Sequence, residues 1–135
     1  MKARGKKKKK TAAAKKPQPP LLRVAEDMKE WSALLGAELE TWPGVSARPM
    51  FGMVAFYRGK KIFAAVPRTR ALGSPNSFIF KLEGASAAVE RRALNDARVN
   101  ASAMGAAKWL AMEVFSAADL RPALEWLDRA YRIAA

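Results

Sequence analysis

The sequence predicts an α+β fold: a single small domain with an antiparallel sheet of about five strands, helices packed on it, and a disordered basic arm in front. Three observations lead there. Residues 1–20 hold no large apolar side chain after Met1 and end in Pro17, Pro19 and Pro20, so they cannot bury enough surface to offset chain entropy. Residues 21–41 repeat apolar side chains at spacings of three and four. Residues 45–82 change to short apolar runs separated by Gly and Pro, which reads as strands on short links, and short links favour antiparallel neighbours. A length of 135 residues suits one domain, so the arm is placed at 1–20 and the domain at 21–135.

The first helix is expected over about 21–41. Leu21, Val24, Met28, Trp31, Leu35, Leu39 and Trp42 form its apolar face, and Pro43-Gly44 stops it. Strands are expected at 45–50, 53–58 and 61–66. Gly59-Lys60 joins the last two, because Gly accepts the positive φ of the first turn position. Residues 67–77 read as a long loop. A fourth strand follows at 77–82, with Phe78 and Phe80 on one face and Ile79 and Lys81 on the other. A second helix is expected over 86–94 with Ser86 as its N-cap, then a loop over 95–107. The strand expected at 108–115 is apolar on both faces, which suits an interior position. The last helix is expected to start near Ser116 or Asp119, with Asp119 the better N-cap because Pro122 then falls in its first turn; Leu120, Leu124, Leu127 and Tyr131 form its stripe. The expected order is α-β-β-β-β-α-β-α.

Charge divides unevenly over this frame. The arm carries Lys2, Arg4, Lys6, Lys7, Lys8, Lys9, Lys10, Lys15 and Lys16 and no acid; removing these nine from the net charge of +13 leaves +4 for residues 21–135. Lysines in such a mixture neutralise phosphates and release counterions without fixed geometry, so nucleic acid is the expected partner, with weak sequence preference. The alternative is a solvated tail that aids solubility. A second asymmetry lies inside the domain. No acid occurs between Glu40 and Glu83, while Arg48, Arg58, Lys60, Lys61, Arg68, Arg70 and Lys81 do. Arg58, Lys60 and Lys61 cluster at the Gly59 turn, where a basic hairpin tip could lie along phosphates. Arg68 and Arg70, with Thr69, Ser74 and Asn76 on the same loop, are a candidate anion site. Trp31 and Trp42 are read as core, and Trp126 as half-exposed beside the last stripe.

Several function classes are excluded or disfavoured. The chain has no Cys and no His, which removes disulfides, thiolate nucleophiles, Cys/His zinc sites and His-based triads. Neither a GxxxxGKS phosphate loop nor a Gly-x-Ser-x-Gly elbow is present. Only Glu113 among the acids falls in an expected strand, so no acid–base pair can be nominated. No enzyme activity, cofactor or metal is expected. The arm lacks the apolar segment of a secretory signal, and no apolar run approaches the ~20 residues of a membrane helix, so a cytoplasmic location is expected.

Arg48-Pro49-Met50-Phe51-Gly52-Met53, followed by Val54 to Tyr57, a Gly turn and Ile62-Phe63-Ala64, resembles the N-terminal domain of the TfoX/Sxy family. That domain opens a hairpin with Arg-x-Met-Phe-Gly after a helix, and continues to a strand ending in Lys, here Phe80-Lys81-Leu82. The resemblance covers roughly residues 24–85. It implies a small α+β domain and an association with transcription regulation in natural competence. It also implies that Gly52 allows a bulge or tight bend, with Met50 and Phe51 anchoring the first strand on the core. The pattern is similar as well to the YjbR/MmcQ proteins, proposed to bind DNA. The Lys-rich arm lies outside the family pattern. The leading reading is a non-enzymatic TfoX-like domain that is nucleic-acid-associated or transcription-regulatory through its arm. The alternative is a protein-interaction module, a coactivator of the transcription machinery or a chaperone-like homodimer.

Overall fold

The structure is a computed structural model, and it describes residues 21–101 and 109–135. In chain order the elements are β1 (Leu21–Arg23), α1 (Glu26–Leu39), β2 (Val45–Met50), β3 (Met53–Arg58), β4 (Lys61–Pro67), β5 (Arg70–Leu72), β6 (Ser77–Lys81), α2 (Ala87–Asn95), β7 (Val99–Ala101), β8 (Trp109–Glu113) and α3 (Leu120–Ile133). β2, β3, β4, β6, β8 and β7 form one sheet in that spatial order, and β1 and β5 form a two-stranded ribbon. Every strand pair is antiparallel. The fold is α+β.

The two central hairpins are set by their turns. β2 and β3 are joined by Phe51-Gly52, with Met50 opposite Met53; Phe51 has φ 50° and Gly52 φ 82°. Two positive φ values in a two-residue loop match the twist of the flanking strands. Gly59, with φ 62°, starts the β3–β4 turn as its sequence position suggests. A register shift at Phe56/Tyr57 lets the adjacent Phe63 and Ala64 of β4 both join the larger core.

α1 and α3 cover one face of the sheet. The core there holds Phe56, Phe63, Phe78 and Phe80 against Met28, Leu35, Leu39 and Leu127, all fully buried. Each such side chain contributes about 1.5–3 kcal/mol relative to exposure. Trp31 and Trp42 pack at the margin of this core. The other face carries a smaller cluster of Met53, Ala55, Ala65, Leu72 and Ile79, bordered by half-buried Met50, Tyr57, Ile62, Trp109 and Ala111. β8 is interior, between β6 and β7, as its two apolar faces imply.

Three elements depart from the sequence reading. α1 starts at Glu26 rather than 21, because Leu21–Arg23 pair with Leu72–Arg70 instead. The amide of Ala25 donates to the Pro75 carbonyl at 2.8 Å, which holds the chain extended up to the helix. Glu26 and Asp27 then sit in the first turn, where the helix dipole favours them. The expected 67–77 loop contains β5, and the described part of the expected 95–107 loop contains β7. The main sheet therefore has six strands. Ser86 caps α2 as expected, its Oγ accepting from the Val89 amide at 3.2 Å.

Candidate nucleic-acid interface

The β2–β3 turn lies inside the acid-free block. Phe51 does not anchor the strand: it is 80 % exposed, while Met50 is half-buried against the smaller cluster. Phe51 lies in the turn itself, beyond the last paired residues Met50 and Met53, and so outside the strands whose side chains build the core. The left-handed backbone there costs a non-Gly residue about 1–2 kcal/mol. The strain is held by the next residue. The Gly52 carbonyl accepts the amides of Arg68, Thr69 and Arg70 at 3.0, 2.8 and 3.1 Å. A Cβ on Gly52 would meet Arg70 and Thr69 atoms at 2.9 Å. The tip of this hairpin and the β4–β5 link are thus one unit.

Arginines gather on that unit. Arg70 lies against the turn, its Nη1 donating to the Thr69 carbonyl at 3.0 Å. Arg23 of β1 stands directly opposite Arg70 in the ribbon, a like-charged pair that is unfavourable in isolation. Arg48 lies three residues before Phe51, its guanidinium 5.2 Å from the Tyr57 ring centroid. Arg68 is exposed and borders a groove between α1 and β3–β4. Among the described residues, no carboxylate forms an ion pair with Arg23, Arg48, Arg68 or Arg70. The other polar groups of the predicted anion loop are used locally. Ser74 Oγ donates to Asn76 Oδ1, and Asn76 Nδ2 donates to the Val114 carbonyl.

Arg58, Lys60 and Lys61 lie at the other end of the same hairpins. Arg58 Nη1 donates to the Tyr131 carbonyl at 3.0 Å, and its guanidinium sits 4.1 Å from the Tyr131 ring centroid. Lys61 Nζ donates to the Ala135 carbonyl at 3.5 Å. These cations meet the negative end of the α3 dipole, a structural use of charge. Lys60 is exposed. Lys6, Lys7, Lys8, Lys9, Lys10, Lys15 and Lys16 lie outside the described residues; the described chain begins at Leu21, which pairs with Leu72, two rungs along the ribbon from the Arg23–Arg70 pair.

One polar network was not visible in the sequence. Arg98 bridges Asp96 (2.9 Å) and Asp119 (3.1 Å), tying the α2–β7 turn to the start of α3. Hydrogen bonding from Arg98 holds the Asp96 carboxyl below its usual range. The Phe115 amide, with Arg98, does the same for Asp119, so this residue begins α3 but spends its carboxylate on its neighbours. Only the Asp96-x-Arg98 spacing hinted at it. Trp126 is half-buried, stacked on Phe80 with centroids 6.1 Å apart. It lines a groove between α2 and α3 of about 910 Å³ that mixes Arg92, Arg129 and Arg132 with Glu125 and Asp128. Arg132 is paired with Asp128, so this groove is less purely cationic than the hairpin tip. Glu113 ends β8 opposite Ser77, with no second carboxylate paired to it in the register.

The chain matches no family model. No curated protein matches it, and no solved structure does either. Among the described residues no helix is long and apolar enough to cross a membrane.

Proposed function

We propose that this protein is a non-enzymatic, cytoplasmic TfoX-like domain that associates with nucleic acid, held on the phosphate backbone by its Lys-rich arm with little sequence preference. The observation that carries this reading is the charge pattern. Nine cations and no acid fill residues 1–20, and no acid interrupts residues 41–82. Counterion release by such an arm supplies affinity without ordered geometry. The arm's attachment two residues before Arg23, on the ribbon that also carries Arg70, supports it further, because a strand held by the arm would be delivered to that ribbon. The TfoX-like part rests on Arg48 to Met53 and the strands that follow.

The test is binding of labelled duplex and single-stranded DNA by the full chain at low and moderate salt. Tight binding at low salt that weakens steeply with added salt supports the reading; no binding at low salt removes it. A second reading, an interaction module for a protein of the transcription machinery or a homodimer, has one observation in its favour. Phe115 is 67 % exposed where the chain leaves β8. A salt-insensitive self-association or partner contact abolished by Phe115→Ser would favour it.

A further inference from the structure

We infer that the β2–β3 turn is the point where the folded domain engages unpaired bases of a single-stranded nucleic acid, with Phe51 as the stacking ring. The inference rests on the nucleic-acid reading above and names the surface and the form of nucleic acid.

Four observations converge on it. Phe51 is the most exposed large apolar side chain of the described residues, at 80 %. It occupies a left-handed turn position that Asn or Gly would fill with less strain, so local stability does not account for a phenylalanine there. The turn beneath it is rigid, because the Gly52 carbonyl is clamped by three consecutive amides. The clamp fixes the backbone from which the ring projects. The surroundings are cationic. Arg70 touches the turn, Arg23 faces Arg70 across the ribbon, and Arg48 precedes the turn by about 10 Å of strand. Arg23, Arg48 and Arg70 have no carboxylate partner among the described residues. The arm enters at Leu21, on the same ribbon.

Exposed aromatic rings among unpaired arginines match the chemistry of single-strand binding, where bases stack on rings and cations track the backbone. A duplex offers no free base face, and insertion between its steps requires unstacking. The single strand is therefore the occupant assigned here.

The experiment compares the full chain with Phe51→Asn and Phe51→Trp, using a fluorescein-labelled oligothymidylate and a labelled duplex of the same length in anisotropy titrations. Asn suits the left-handed position, so Phe51→Asn should melt at or above the parent temperature. Its affinity for oligothymidylate should fall about tenfold or more. Its duplex affinity should change less than about twofold, and its salt slope should be unchanged because no charge is removed. Phe51→Trp should retain oligothymidylate binding. Oligothymidylate affinity unchanged in Phe51→Asn would overturn the inference, as would equal losses on both probes, which would mark insertion into a duplex. A lower melting temperature would assign Phe51 to the fold. Failure of the parent chain to bind either probe at low salt would instead remove the nucleic-acid reading itself.

Discussion

The Gly52 carbonyl oxygen accepts the Thr69 amide at 2.8 Å, flanked by bonds from the amides of Arg68 and Arg70. Through this contact the tip of one hairpin fixes the start of the ribbon that bears the arm. Gly52 has φ 82°, and a Cβ there would lie 2.9 Å from Arg70 and Thr69 atoms. Gly52→Ala is therefore expected to cost about 2 kcal/mol or more, from backbone strain plus the clash. Urea unfolding checks this; an unchanged midpoint would show that the turn and the 68–70 segment are not coupled.

Arg58 tests whether a cation at the β3–β4 turn serves the fold or the interface. It donates to the Tyr131 carbonyl and covers the Tyr131 ring, whose hydroxyl in turn donates to the Pro43 carbonyl at 2.6 Å. Arg58→Ala should lower stability by about 1–2 kcal/mol by removing the charged hydrogen bond and the cover over the ring. Its effect on oligonucleotide affinity should stay within about twofold. Weakened binding at unchanged stability would return Arg58 to the interface.

The Asp96–Arg98–Asp119 network gives stability a defined pH dependence. Both carboxyls titrate below their ordinary range in the fold, Asp96 chiefly through the Arg98 side chain and Asp119 chiefly through the Phe115 amide. A depressed carboxylate contributes stability that is present above the unfolded pKa of about 3.9 and is lost as pH falls through the lower folded value. Urea midpoints should thus hold between about pH 7 and 5 and fall below about pH 4. Arg98→Ala should cost about 2 kcal/mol near neutrality and flatten part of the acid loss. Parallel pH profiles for the two chains would show that Arg98 does not set these carboxyls.

Much of this fold is legible in the sequence, and the misses share a cause. The Ser77–Lys81 strand, the Ser86 cap and the Gly59 turn each carry a local signal that tertiary structure leaves alone. β1, β5 and β7 have three residues each, too few to display a period, and β1 and β5 pair with each other across about fifty residues of sequence. Leu21 and Val24 also fit the helical spacing that Met28 begins, so only the ribbon pairing with Ala71 and Leu72 reveals the strand. The site was half legible. The acid-free block and Arg68–Arg70 are plain in the sequence, whereas the exposure of Phe51 depends on the turn geometry, and the use of Arg58 depends on α3 returning beside it.

The most direct test of arm-driven binding is the salt dependence of oligothymidylate affinity for the full chain and for a full-length variant with Lys6, Lys7, Lys8, Lys9, Lys10, Lys15 and Lys16 changed to Gln. Each phosphate that the variant no longer neutralises should remove about 0.7 from the slope of log affinity against log salt on a single strand. A steep slope for the parent and a slope shallower by several such steps for the variant is the expected result. Equal slopes in the two chains would contradict an arm that binds phosphate.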